Sequence, residues 1–364
     1  MPILNPKQIL IAPLDWGLGH TARCVPLIRH IRALGHHPIV AGNASQQAFI
    51  QQTFGAIDFI HLDGYNITYS KWNRFAQAGL LSQLPRLHKT IRNEHQWLQE
   101  LSQRIHIDGI ISDNRYGLYH ASIPSVIMTH QLMVLSGMGS MMDRAIQKVH
   151  YKYLEQFGNT WVVDIPGSVN LAGKLSHPHI LPTASKYIGL LSRFEEKELQ
   201  DTTEETLLIL LSGPEPQRSI LSRILWQQAT RYNGKVVFVE GSDTAVPKVI
   251  IPPHITYHKR LTDKQLAPIL QAANMVVCRS GYSTLMDVIA LRKKAILIPT
   301  PGQTEQAYLA RHIHAQGIYY ATKQREFNLD AALKGAAGFP YHLPSFPGAY
   351  SMYKSIVSQW LNGL

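Results

Sequence analysis

The sequence predicts an α/β protein of two Rossmann-like domains facing each other across a cleft, with a C-terminal helix packing back across. Three observations carry that expectation. Short apolar runs of strand length alternate along the chain with longer segments whose apolar residues recur at helical spacing. Glycine turns join strand to helix in both halves, at Asp15-Trp16-Gly17-Leu18-Gly19-His20 and at Cys278-Arg279-Ser280-Gly281-Tyr282-Ser283-Thr284. A chain of 364 residues is also long for one core, so two domains are the default.

In order, residues 8–14 read as a strand, 21–34 as an amphipathic helix stopped by Gly35, and 37–41 as the next strand. Strands at 59–62, 109–112, 125–129 and 160–163, with helices between them, complete the first series. A stretch from about 183 to 203 has no apolar periodicity and reads as a connector. The second series has strands at 207–211, 236–240, 255–258, 273–278 and 295–298. Pro344 and Pro347 precede a tail helix over 350–361. The expected domains are therefore 1–185, a connector 186–205, a second domain 206–340 and a crossing helix in 341–364.

Composition sets the class. With 45% hydrophobic and 16% charged residues the chain is ordinary globular protein, and no run nears the roughly 18 apolar residues of a membrane span. The N-terminus lacks a signal-peptide pattern, so the cytoplasm is expected, with the inner face of the cytoplasmic membrane as a further location. Cys24 and Cys278 each lie beside an apolar stretch and read as buried free thiols of a reducing compartment. An excess of 35 Lys and Arg over 24 Asp and Glu, formally +11, favours anionic partners. No nucleic-acid motif appears, so the charge is assigned to a phosphorylated ligand and to an anionic membrane surface.

The turn at 278–284 sits at a helix N-terminus. Unpaired backbone N–H groups and the positive end of the helix dipole make an anion site there, to which Ser280, Ser283 and Thr284 add hydroxyls. Asp287, one helical turn on, has the reach to accept hydrogen bonds from vicinal ribose hydroxyls, and Glu305-Gln306 opens the following helix at the carboxyl edge of the sheet. Singly, a Ser-Gly-x-Ser turn is as often a helix cap and a mid-helix Asp a solvated one. In the first half, Gly17 and Gly19 let a loop approach a ligand and aim His20 toward it. Asp113 ends a strand of the same domain and reads equally as base, as the carboxylate orienting His20, or as a turn-capping Asx. No Asp-x-Asp motif ends a strand, and the pairs His177/His179 and His312/His314 have no companion ligand nearby in sequence, so no metal and no cofactor are expected.

These residues resemble the GT-B glycosyltransferases, most closely glycosyltransferase family 28. The signature is Val276-Val277-Cys278-Arg279-Ser280-Gly281, Asp287 eight residues after the arginine, and Pro299 followed by Glu305-Gln306, with weaker matches at the loop ending in His20 and at Ser212-Gly213 leading to Arg218. The resemblance implies a UDP-sugar donor, with uracil at the backbone around Arg260 and Leu261, ribose at Asp287, the diphosphate at Ser212, Gly213, Ser280, Gly281, Ser283 and Thr284, and the sugar at Glu305 and Gln306. Aspartate stands where the family usually has glutamate, and Trp16 and Leu18 interrupt a loop that is typically glycine-rich.

Transfer from UDP needs two things: stabilised charge on the leaving diphosphate, here expected from Arg218, Arg279 and the helix N-terminus, and a base for the acceptor hydroxyl, here His20 or Asp113. Attack from the face opposite UDP implies inversion. Residues 65–89 mix aromatic and basic side chains, the composition either of an interfacial segment or of a helix pair packed on the acceptor domain, and Arg144, Lys148 and Lys152 extend the basic face. The first alternative gives a lipid-linked or cell-envelope acceptor. Competing readings are a nucleotide-sugar hydrolase or 2-epimerase of the same fold, and a non-catalytic nucleotide-sugar or lipid-binding protein.

Overall fold

The computed structural model describes residues 5–65, 84–196, 205–242 and 251–364. It forms two compact units, Met1–Leu191 with Pro347–Leu364, and Ser192–Phe346.

In the first unit β1 (Gln8–Pro13), β2 (His37–Gly42), β3 (Asp58–His61), β4 (Gly109–Asp113), β5 (Ser125–Thr129), β6 (Asn159–Val162) and β7 (Ser185–Tyr187) make one sheet, ordered β3-β2-β1-β4-β5-β6-β7. All its pairings are parallel. The central strands β4 and β5 are buried along their whole length, as the unbroken runs GIISD and SVIMT require of a sheet covered on both faces. The helices are α1 (Gly19–Ala33), α2 (Ala44–Phe54), α3 (Leu84–Ser102) and α4 (Ser140–Leu154).

The second unit repeats the plan. Its strands are β8 (Thr206–Leu210), β9 (Lys235–Val239), β10 (Ile255–His258), β11 (Met275–Cys278), β12 (Ala295–Leu297) and β13 (Tyr320–Ala321), in the order β10-β9-β8-β11-β12-β13, again all parallel. The helices are α5 (Gln217–Ala229), α6 (Asp263–Ala272), α7 (Tyr282–Ala290), α8 (Thr304–Ala315) and α9 (Leu329–Ala337). Leu207, Ile209, Phe238, Val277 and Ile296 centre its core, with Trp226 edge-on to Phe238 at 5.2 Å. In both sheets the strand order reverses between the first and fourth strands, and a ligand of such a sheet collects at the carboxyl ends there.

The last helix, α10 (Met352–Asn362), belongs to the first unit. Trp360 meets Trp161 edge-on at 5.6 Å, and His30 Nε2 lies 3.0 Å from the Lys354 carbonyl. Gly109 leaves room for this helix, because a Cβ there would stand 2.6 Å from the Trp360 ring. Burial of Val357 and Leu361 adds about 1.5–3 kcal/mol each.

Domain limits differ from the sequence expectation. β7 pairs with β6 and the Ile188 amide donates to Val162, so the first unit runs to Leu191, and 341–346 belong to the second unit. Both cysteines are free and buried, and burial lifts the Cys278 thiol to about 12. Among the described residues no helix is long and apolar enough to cross a membrane. Of the segment 65–89, residues 66–83 lie outside those described.

Candidate active site

At the switch point of the first sheet, the loop after β1 leads into α1 and the end of β4 carries Asp113. Gly17 holds φ +70, a turn that glycine adopts without strain, and Gly19 opens the helix. α1 has no side-chain cap, whereas α2 on the neighbouring strand has a full capping box from Asn43 and Gln46. His20 Nδ1 lies 3.0 Å from Asp113 Oδ2. Asp113 is fully buried, while the His20 side chain keeps 14% exposure, which makes the histidine the member that can meet a substrate.

Arg23 grips the same carboxylate, with Nε 2.8 Å from Oδ2 and Nη2 on Oδ1, and its Nη1 lies 3.0 Å from His130 Nδ1. Burial by itself would raise the Asp113 pKa, but Arg23 and His20 outweigh it and hold the group at about 2. The carboxylate is therefore ionised at neutral pH and can only accept, so His20 donates through Nδ1 and its Nε2 carries the lone pair. Burial, and then the charge of Arg23, lower the His20 pKa against the opposing pull of Asp113, which leaves the ring neutral at pH 7. Asp113 thus holds the His20 ring through Nδ1, and it caps no helix. Trp16, whose bulk interrupts the loop, packs in a cluster with Leu14, Tyr65, Ile91 and Tyr116.

In the second unit two helices that follow adjacent strands, α7 after β11 and α8 after β12, start with no side-chain cap hydrogen bond, whereas at the start of α5, after β8, the Glu215 carboxylate accepts from Ser219 N at 3.3 Å and the Pro214 carbonyl from Arg218 N at 3.2 Å. α6, which follows the edge strand β10, is closed by a Thr262–Gln265 capping box. Unpaired N–H groups and positive dipole ends are thus gathered at the centre of the sheet, as an anion site requires. Ser212, Ser283 and Thr284 are half-buried around these termini, and their hydroxyls make no hydrogen bond among the described residues. Gly213 holds φ +101 with open space where a Cβ would stand. A Cβ on Gly281 would meet only Gln306 Nε2, at 3.8 Å, which places that amide beside the α7 terminus. Arg260 and Leu261 lie between β10 and α6, and Glu305 lies in the first turn of α8.

Four expected site residues prove to be otherwise engaged. Asp287 accepts from Ser192 Oγ at 2.8 Å and Arg193 N at 3.1 Å on one oxygen, and from Arg193 Nε at 3.0 Å and Nη2 at 2.7 Å on the other. Its carboxylate is saturated without a ribose. Arg279 is buried and donates to the carbonyls of Gln217, Ile298 and Pro299, bracing the start of α5 against the end of β12 rather than facing a diphosphate. Arg218 is paired with Glu240 at 2.8 Å and with Glu215. Ser280 is buried and donates to the Gln306 carbonyl at 2.9 Å. No group of three or more His, Cys, Asp or Glu among the described residues is arranged to hold a metal ion.

Sequence reasoning missed Arg23 and His130. One signal was present: His20, Arg23 and Cys24 stand at i, i+3 and i+4, one face of a helix.

Comparison with known proteins agrees with this second sheet. Residues 225–337 match the glycosyltransferase family 28 C-terminal domain. Two curated relatives are UDP-N-acetylglucosamine--N-acetylmuramyl-(pentapeptide) pyrophosphoryl-undecaprenol N-acetylglucosamine transferases. The one from Desulforudis audaxviator is 32% identical over 100 residues, covering 27% of this chain and 25% of the relative. The one from Methylobacterium nodulans is 36% identical over 85 residues, covering 22% and 23%. The chain therefore spans about a quarter of the length of these relatives. Over the full length, the kitacinnamycin glycotransferase superposes with TM-score 0.65 at 15% identity, covering 99% of this chain and 100% of that one. The spinosyn rhamnosyltransferase SpnG, solved with thymidine diphosphate, gives 0.58 at 15% identity, covering 98% and 96%. The fold is GT-B, and the residues that match the family 28 C-terminal domain contain β9 to β13 and the uncapped termini of α7 and α8.

Proposed function

We propose that the protein is a glycosyltransferase that moves a sugar from a nucleoside-diphosphate donor, UDP in the first instance, to an acceptor hydroxyl with inversion. The observation that carries this reading is the pair of uncapped helix termini after β11 and β12, with the free hydroxyls of Ser212, Ser283 and Thr284 beside them. Such a cradle suits two linked phosphates, and its dipoles stabilise the charge that develops on a leaving diphosphate without a metal. Gln306 Nε2 and Glu305 offer a donor and an acceptor for sugar hydroxyls.

In the first unit, His20 Nε2 takes the acceptor proton as the acceptor oxygen bonds to the anomeric carbon and the bond from that carbon to the diphosphate breaks. The proton stays on the imidazole, whose new charge Asp113 stabilises, and UDP departs as the anion.

A groove of about 500 Å³ in the same unit supports a phosphorylated, lipid-linked acceptor. Its lining of His88, Arg92, His95, Tyr119, Lys152 and Tyr153 contains no carboxylate. Beside Lys152, α4 exposes Met141 at 85% and Val149 at 55%, together with Arg144 and Lys148, a face suited to an anionic bilayer.

A thermal-shift series over UDP, TDP and UDP-sugars, followed by UDP release with and without acceptor lipids, tests the reading. Stabilisation by a UDP-sugar and acceptor-dependent release are expected. Rapid release with no acceptor would turn the reading to hydrolysis, and no nucleotide stabilisation at all would end it.

A further inference from the structure

We propose that Arg23 is a positioning residue for the His20 base, clamping both oxygens of Asp113 so that the carboxylate stays in the plane that orients the imidazole. This rests on the glycosyl-transfer reading for its meaning and its kinetic readouts, but not for its NMR readouts.

The geometry leaves Asp113 little freedom. Oδ2 serves His20 Nδ1 at 3.0 Å and Arg23 Nε at 2.8 Å, while Oδ1 takes Arg23 Nη2. A carboxylate held by histidine alone could turn about its χ2 torsion and release the ring, since that torsion is broad. The guanidinium fork prevents the turn. Arg23 is itself fixed. Its side chain is 1% exposed, and because a guanidinium can only donate, His130 Nδ1 accepts from Nη1, which puts the His130 ring proton on Nε2. The dyad is thus one end of a buried line, His20–Asp113–Arg23–His130, that begins at the surface and ends at the tip of β5.

Arg23 also acts through charge. The groups facing His20 are Asp113 on β4, Arg23 on its own helix and His130 beyond β5, with Cys24 Sγ 4.0 Å from Asp113 and Tyr116 within its field. The charge and hydrogen bond of Asp113 pull the His20 pKa up, against burial first and Arg23 second. Arg23 offsets that charge while keeping the carboxylate ionised. A merely structural arginine would leave the tautomer and titration of His20 unchanged.

The test is ¹⁵N NMR of the His20 ring in the full chain, together with pH profiles of kcat/KM, for wild type, Arg23→Met and Arg23→Lys. In the wild type, a neutral ring protonated on Nδ1 is expected. In Arg23→Met the midpoint should rise by about one pH unit or more and the acidic limb of kcat/KM should move with it. Arg23→Lys keeps the charge and loses the fork. It should hold the midpoint, mix the tautomers and lower kcat about tenfold or more with donor KM unchanged. If Arg23→Met does not fold, Arg23→Lys carries the test. A wild-type tautomer and kcat in Arg23→Lys, or a wild-type midpoint in Arg23→Met, overturns the proposal. Absence of sugar transfer by the wild type would instead sink the glycosyltransferase reading and leave the NMR result standing.

Discussion

Arg193 holds Asp287 through Nε and Nη2, which converge on one carboxylate oxygen at 3.0 and 2.7 Å, and its Nη1 reaches Asp263 at 3.0 Å. Burial by itself would lower the arginine pKa, but the two carboxylates outweigh it and raise it. The first residues of the second unit are thereby tied to the middle of α7.

Asp287→Ala should act on stability before it acts on ligand binding. Removing one partner leaves Arg193 largely buried against a lost charge, a loss of about 3 kcal/mol. Urea denaturation should show that loss, with Arg193→Ala similar and the double variant well short of the sum. An unchanged midpoint in Asp287→Ala, with weakened UDP binding, would instead restore the aspartate to the ribose.

Replacement of Gly281 should separate fold from ligand. Its φ of −71° suits any residue, and the nearest atom to an added Cβ is Gln306 Nε2 at 3.8 Å. Gly281→Ala should keep or gain stability, by about 0.4–1 kcal/mol, through loss of unfolded-state entropy. The methyl nevertheless fills the space above the α7 amides, so calorimetric affinity for UDP should fall. Equal affinity in both proteins would place the phosphates elsewhere.

The strands and switch points were legible in the sequence because buried parallel strands are written as short unbroken apolar runs, and the runs that became β4, β5, β8 and β11 have few other uses. β7 and β13 were not, since three and two residues carry no pattern. The contact of His20 with Asp113 could be read from their places at the end of a glycine loop and of a strand. Arg218 and Arg279 could not. An arginine that braces backbone carbonyls and one that meets a phosphate use the same donors, and only burial and partners tell them apart. Arg23 was hidden for the converse reason, because a charged residue on an amphipathic helix reads as solvated face.

The dyad gives a pH dependence of known sign. Asp113 sits at about 2 against an ordinary 3.8, so its stabilising contribution is complete above about pH 4 and is lost as pH falls toward 2. His20 is shifted down, so below its ordinary 6.5 the unfolded chain takes the proton first, and stability falls as pH drops from there. For activity, the acidic limb of kcat/KM should lie below pH 6.5. His20→Ala should lose about 10²–10⁴-fold in kcat with UDP affinity retained. A limb above pH 7, or an active His20→Ala, would move the base to another residue.

Arg279→Met should behave as a scaffold variant. The side chain is 1% exposed, burial lowers its pKa to about 10, and it donates to the carbonyls of Gln217, Ile298 and Pro299. Methionine fills most of the volume but supplies none of the donors, so buried acceptors at the ends of two neighbouring elements go unsatisfied, at about 1–3 kcal/mol each. A large drop in the denaturation midpoint is therefore expected. If arginine instead stabilised the leaving diphosphate, kcat would collapse while the midpoint held. Measuring both on one preparation decides between a brace for the anion cradle and a part of the cradle itself.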